Sequence, residues 1–174
     1  MIGKTMTAPR RQRKFCPPLS RRNLLAALGA VGVQASALGA YAATTEQIVV
    51  DGRTGLAISG FDPVAYFVDG AAEPGKDVFE QPFAGVVWRF RNEGNQAAFV
   101  ADPDVYMPRF GGYDPVGIAR GVTVAGDPRV WLIIEARLYL FYALENRATF
   151  AADAEDLIAT AERRWPALQR TLSP

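Results

Sequence analysis

The sequence predicts an α+β fold: two similar small units, each an antiparallel β-hairpin with short helices, packed into one compact domain. Three observations carry this. Gly60-Phe61-Asp62-Pro63-Val64 returns as Gly112-Tyr113-Asp114-Pro115-Val116, 52 residues on. Asn95-Gln96-Ala97-Ala98-Phe99-Val100-Ala101-Asp102 returns as Asn146-Arg147-Ala148-Thr149-Phe150-Ala151-Ala152-Asp153, 51 residues on. Two segments displaced by nearly one interval mark a repeated supersecondary unit. Between them, each time, lie two apolar, β-rich runs around a short turn, the pattern of a hairpin.

The elements follow in order. Residues 43–55 read as a lead-in, with Ile48-Val49-Val50 a short strand before Asp51-Gly52. Copy one spans 56–111. Its Asp62 caps and its Pro63 opens a short helix through Phe67. Asp69-Gly70 and Pro74-Gly75 are turns. Val78 to Phe83 and Val86 to Phe90 form a hairpin around Ala84-Gly85. Asn95 opens and caps a helix holding Ala98, Phe99 and Ala101, which Asp102-Pro103 ends or redirects. Copy two spans 112–166. Asp114-Pro115 caps a short helix, Gly121 to Gly126 connects, and Val130 to Ile134 pairs with Leu138 to Phe141 around Glu135-Ala136. Asn146 is again a cap. A final helix carries Phe150, Leu157, Ile158, Ala161 and Trp165, with an apolar face at helical spacing, and Pro166 stops or kinks it. Residues 167–174 are a tail.

The first 42 residues read as an export signal rather than as part of the fold. They hold seven of the 19 basic residues and none of the 18 acids. Ser20-Arg21-Arg22-Asn23-Leu24-Leu25 leads into an apolar run ending near Leu38, and Ala40-Tyr41-Ala42 offers small residues for cleavage after Ala42. The paired arginines match a twin-arginine signal; a general secretory signal or a retained anchor are the alternatives. The apolar run is too short and too rich in glycine to span a bilayer. Periplasmic location, with no stable membrane anchor after cleavage, is the expectation. The remainder carries 12 basic and 18 acidic residues, a net charge of −6. That balance argues against nucleic acid and anionic membranes as partners.

Cys16 is the one cysteine and the chain has no histidine. A disulfide, an ordinary zinc or copper centre, a cysteine nucleophile and a histidine-based triad are thereby excluded from the mature chain. No cofactor is expected, and no phosphate-binding or nucleotide fingerprint is present.

The ordered set Gly60-Phe61-Asp62-Pro63-Val64-Ala65-Tyr66-Phe67, Trp88-Arg89-Phe90, Asn95 to Phe99, Ala101-Asp102-Pro103-Asp104-Val105-Tyr106, Pro108-Arg109-Phe110-Gly111-Gly112-Tyr113, Leu138-Tyr139-Leu140 and Arg164-Trp165-Pro166 resembles the YHS domain of exported bacterial proteins, over residues 56–166. The resemblance implies a family in which metal, often copper or another soft ion, is bound through cysteines. At the matching positions this chain has Ala65, Arg91 and Asn95, and in copy two Gly117, Tyr142 and Asn146. Asp114 stands where exported relatives often carry cysteine or selenocysteine after Gly-Gly-Tyr.

The candidate site is Arg109, Gly111, Gly112, Tyr113 and Asp114, with Arg120 nearby. Glycines admit a close ligand, arginines clamp an anion, and a tyrosine adds a hydrogen bond or a stacking face. The plainer reading is a tight junction between the copies, with arginine paired to acids. Asp62 and Asp114 are either a carboxylate pair, able to share a proton or hold a hard cation, or two helix caps. Trp88, Trp131, Trp165, Tyr66, Tyr139 and Phe141 either line a small-molecule pocket or fill the core. The reading is a non-catalytic periplasmic domain that binds a small molecule or a protein. Metal handling as in the wider family and an uncharacterised enzyme are the alternatives.

Overall fold

A computed structural model describes residues 46–172. The expected export signal, its cleavage point after Ala42, Cys16, residues 43–45 of the lead-in and the last two residues of the tail lie outside the described residues. The described chain mixes helix and strand, as two antiparallel two-stranded hairpins and six α-helices, consistent with the α+β class. A 3-10 turn at Ile58–Gly60 precedes α1 (Ala65–Val68). Strands β1 (Lys76–Phe83) and β2 (Val86–Phe90) follow, then α2 (Glu93–Ala101) and α3 (Pro103–Tyr106). A second 3-10 turn, Arg109–Gly112, leads to α4 (Pro115–Arg120), β3 (Asp127–Ile134) and β4 (Arg137–Phe141). The chain closes with α5 (Leu144–Ala152) and α6 (Ala154–Gln169).

Both hairpins turn where the sequence places the turn. Ala84 and Gly85 have φ of 51° and 82°, and Glu135 and Ala136 have φ of 51° and 55°. Two successive left-handed residues give a turn whose twist matches that of the strands it joins. Phe83 then faces Val86, and Ile134 faces Arg137. Far from the turns the register slips, between Lys76 and Glu80 and between Asp127 and Trp131, and such irregularities bend a strand.

Several local expectations are corrected. Ile48-Val49-Val50 is not a strand, and Val50 makes only an isolated bridge to Ala57. Asp51 ends any extension there, because its Oδ1 accepts from the backbone N–H of Arg53 and Thr54 and from the Thr54 hydroxyl, at 3.1, 2.8 and 2.9 Å. These bonds, led by the Thr54 N–H, hold the Asp51 carboxyl below its ordinary range. Asn95 and Asn146 are not caps. Asn92 caps α2, accepting from the Asn95 N–H at 2.8 Å, and Ala143 precedes α5 with no side-chain cap. Each of the two asparagines is the third residue of its helix. The expected final helix is two helices, broken at Asp153 (φ −148°, ψ 52°), so Phe150 lies on α5 and Leu157 to Trp165 on α6. Pro166 sits inside α6, which runs on to Gln169. The hydrogen bond it cannot make belongs to the carbonyl of Glu162, a residue on the exposed side of the helix.

The core forms two clusters with β4 between them. Leu138 and Leu140 pack with Ala57, Ile58, Phe61, Trp88, Phe90 and Phe99. Tyr139 and Phe141 pack with Val49, Phe110, Tyr113, Val116 and Phe150. Strand side chains alternate between faces, so one four-residue run supplies both clusters. β3 divides the same way, with Trp131 and Ile133 against the first cluster and Leu132 and Ile134 against the second. β2 has one buried face only, through Trp88 and Phe90. A helix plugs each hairpin with one phenylalanine. The Phe99 ring lies 5.1 Å from Trp88 and 5.2 Å from Phe90, and the Phe150 ring lies 5.0 Å from Tyr139 and 5.1 Å from Phe141. Removing either ring deletes one of the largest buried side chains of its cluster.

Close approach of backbone fixes Gly126. A Cβ there would stand 2.6 Å from Leu140 Cβ and 2.8 Å from the Gly112 carbonyl oxygen. Gly126→Ala is expected to destabilise by about 1–3 kcal/mol. Ala136→Gly relieves a left-handed alanine and is expected to stabilise by up to about 1 kcal/mol. Urea unfolding of the two variants beside Gly52→Ala, where an added Cβ meets nothing within 4 Å, checks both signs.

Candidate functional site

Asp62 and Asp114 are fully buried, and each carboxylate is held by four donors. Oδ1 of Asp62 accepts from the N–H groups of Val64 and Ala65 at 2.8 and 3.3 Å. Oδ2 accepts from the Arg91 N–H at 2.8 Å and from Asn95 Nδ2 at 2.7 Å. Oδ1 of Asp114 accepts from Val116 and Gly117 at 2.8 and 3.4 Å, and Oδ2 from the Tyr142 N–H at 2.9 Å and Asn146 Nδ2 at 2.5 Å. Each aspartate thus ties a helix start, the residue just beyond a strand and the following helix to one point. Of the two readings of these aspartates, the helix cap is the one seen, since each accepts from the first N–H groups of its own helix; the two donor sets share no member, and each carboxylate is a separate structural hub.

The positions where the resembling family carries cysteine converge on these hubs. Ala65, Arg91 and Asn95 all donate to Asp62, and Gly117, Tyr142 and Asn146 all donate to Asp114. They present N–H groups, and their aspartate already spends both oxygens on them. This donor set does not fit a metal ion. Among the described residues no three of His, Cys, Asp and Glu gather into a candidate metal site.

Tyr66 is likewise internal. Its hydroxyl donates to the Pro128 carbonyl at 2.8 Å and its ring meets Trp131 edge-on at 5.3 Å. Burial, reinforced by Asp127, pushes its hydroxyl well above the ordinary 10.0. Arg120 is exposed in the last turn of α4, away from the other candidates' hydrogen bonds.

The remaining candidates do assemble. Arg109, Gly111, Gly112 and Tyr113 border the segment 46–49 and α6. Arg109 Nη2 pairs with Glu162 Oε1 at 2.6 Å. The Tyr113 hydroxyl donates to the Glu46 carbonyl at 2.5 Å, and its ring lies 5.9 Å from that of Trp165. Val49 N–H donates to the Gly111 carbonyl at 2.8 Å. Gly111 has φ +64°, and a Cβ there would fall 2.0 Å from the Gln47 carbonyl oxygen, so only glycine lets the two segments lie this close. Gly112 has φ +89° and packs against Ile58, Val49 and Leu140. Gly111 therefore brings backbone to backbone, whereas Gly112 seats against side chains.

Beside this junction lies a cavity of about 630 Å³. Its apolar wall includes Ile48, Val50, Val86, Met107, Pro108 and Trp165. Its polar side chains are Glu46, Gln47 and Gln169, and Gly111 lies at its edge. Of the six aromatic residues considered from sequence, Trp88 and Trp165 reach this lining. Tyr66, Tyr139 and Phe141 are core residues, and Trp131 packs against the core. Glu46, Met107 and Gln169 were not anticipated; the available signal was the Met107-Pro108 pair directly before Arg109.

Comparison with protein-family models, with curated proteins and with solved structures gives no match.

Asp62→Asn and Asp114→Asn each set an amide NH₂ against two donors. Each is expected to cost about 2–3 kcal/mol or more in denaturant unfolding. Asp69→Asn, which breaks only the half-exposed pair to Arg91, is expected to cost less than about 1 kcal/mol. For Tyr66 the folded-state value is raised above the unfolded one. Its contribution to stability is therefore complete below about pH 10 and is lost as pH rises toward the folded value. Tyr66→Phe is expected to flatten that alkaline decline, read as unfolding midpoint against pH.

Proposed function

We propose that this chain is a non-catalytic binding domain, built from two YHS-like units and exported to the periplasm through the twin-arginine route, that holds a small molecule in the cavity beside Gly111. The observation that carries the reading is that cavity of about 630 Å³, within the range that buries small organic ligands, with a mostly apolar wall and a few polar groups. The two-unit reading is supported by matching bonds: Asp62 N–H to the Glu73 carbonyl and Asp114 N–H to the Val124 carbonyl, each 2.8 Å, and Gly75 N–H to Gly60 and Gly126 N–H to Gly112, at 2.9 and 3.0 Å. The family assignment rests on the sequence resemblance, and export rests on the sequence pattern of residues 1–42.

Neither buried aspartate is free to serve as a general base. A general base needs a lone pair aimed at substrate, and the two buried aspartates spend theirs on four internal donors each. The family's metal role is disfavoured because its cysteine positions present donors here.

Native mass spectrometry with elemental analysis of the mature protein from its own host tests this reading. A retained organic mass without stoichiometric transition metal is the expected result, and stoichiometric copper or zinc overturns it. Val86→Trp is expected to fill the cavity and weaken one-to-one binding of a neutral fluorescent apolar probe by about tenfold or more. Its melting temperature should stay within a few degrees of the parent.

A further inference from the structure

We infer that the cavity beside Gly111 selects a ligand carrying a positively charged nitrogen on an apolar body, with Glu46 as its counter-charge; this rests on the binding reading above. Glu46 is the one ionisable residue among the described lining residues. The other polar side chains there, Gln47 and Gln169, are neutral amides. Glu46 Oε2 is buried and has no hydrogen-bond partner. A carboxylate withdrawn from water without a donor is costly, and a positive charge in the cavity beside Glu46 offsets part of that cost.

The backbone that carries Glu46 is also held in place before any ligand arrives. The backbone carbonyl of Glu46 accepts from Tyr113, the Gln47 carbonyl is pressed against Gly111, and Val49 N–H is bonded to the Gly111 carbonyl. Fixed geometry of this kind lowers the ordering cost of binding. The guanidinium of this junction belongs elsewhere: Arg109 is paired with Glu162, its Cζ lies 5.6 Å from the Phe110 ring centroid, and it is not part of the lining. Its Nε is buried without a partner, and no ion pair within 4.0 Å joins it to Glu46.

The body of the ligand follows from the wall. Ile48, Val50, Val86 and Met107 offer aliphatic and thioether contact, and the partly exposed Trp165 offers an aromatic surface to which cations are attracted. An anionic ligand would meet an unpaired carboxylate with no cation in the lining to offset it. An amine on an aromatic or aliphatic frame satisfies both the wall and the carboxylate.

Three probes of one shape separate the terms: tryptamine, 3-propylindole and indole-3-propionate, titrated calorimetrically into the mature protein. Tryptamine is expected to bind about tenfold or more tighter than 3-propylindole, the range of a charge-assisted hydrogen bond, and indole-3-propionate weakest. Glu46→Gln keeps the backbone carbonyl that Tyr113 uses. It is expected to abolish the preference for the amine, so that tryptamine binds the variant no tighter than 3-propylindole does. Equal affinity for tryptamine and 3-propylindole in the parent, or an undiminished preference in Glu46→Gln, overturns the inference and leaves the cavity as a neutral apolar site. Failure of all three probes to bind overturns the inference together with the small-molecule reading on which it rests.

Discussion

The fold depends on two carboxylates that never meet solvent. A buried anion is tolerated only where donors replace its lost hydration, and Asp62 and Asp114 each recruit three backbone N–H groups and one asparagine amide for that purpose. The donors come from three places in the chain: the helix just after the aspartate, the residue leaving a strand, and the helix after that strand. A short helix such as α1 has little intrinsic stability. Here its first N–H groups are satisfied by one oxygen of a carboxylate whose other oxygen holds the end of the following hairpin and the next helix. The aspartate thus acts over a distance far greater than a cap does, and its neighbours are fixed as a group.

That arrangement constrains chemistry as well as structure. The positions around each aspartate serve as donors to a carboxylate. A donor shell of N–H groups stabilises negative charge and offers a cation nothing. The polar resources of both hubs are committed inward, which leaves the segment at 46–50, the turn at Arg109–Gly112 and the end of α6 as the region with an oxygen still unanswered. The cavity sits where the chain comes together from distant segments rather than where its motifs repeat.

Local signals were legible in the sequence and long-range ones were not. The hairpin turns at Ala84-Gly85 and Glu135-Ala136, and the Asp114-Pro115 helix start, rest on a few adjacent residues and lie where the sequence places them. Asn95 misled because its amide serves an acceptor 33 residues earlier, while the shorter-range duty of capping fell to Asn92. Arg109, Gly111 and Tyr113 stood out for chemistry, yet their geometry answers to packing against residues 46–49. The cavity was invisible because its wall is drawn from segments around residues 48, 86, 107 and 165, and no periodicity links them. Glu46, lying before the first recognisable element, carried no signal at all.

Because β4 turns Leu138 and Leu140 to one cluster and Tyr139 and Phe141 to the other, neither cluster can melt alone. Loss of either exposes half of the same strand and removes the wall that the other needs. The described fold is thereby expected to behave as one cooperative unit in spite of its two centres of packing, unfolding in a single transition. Amide exchange should be slowest along Leu138–Phe141, where opening requires the global event, and faster in β1, most of whose residues are exposed. Neither hairpin with its helices is an independent piece to excise, graft or lose by truncation.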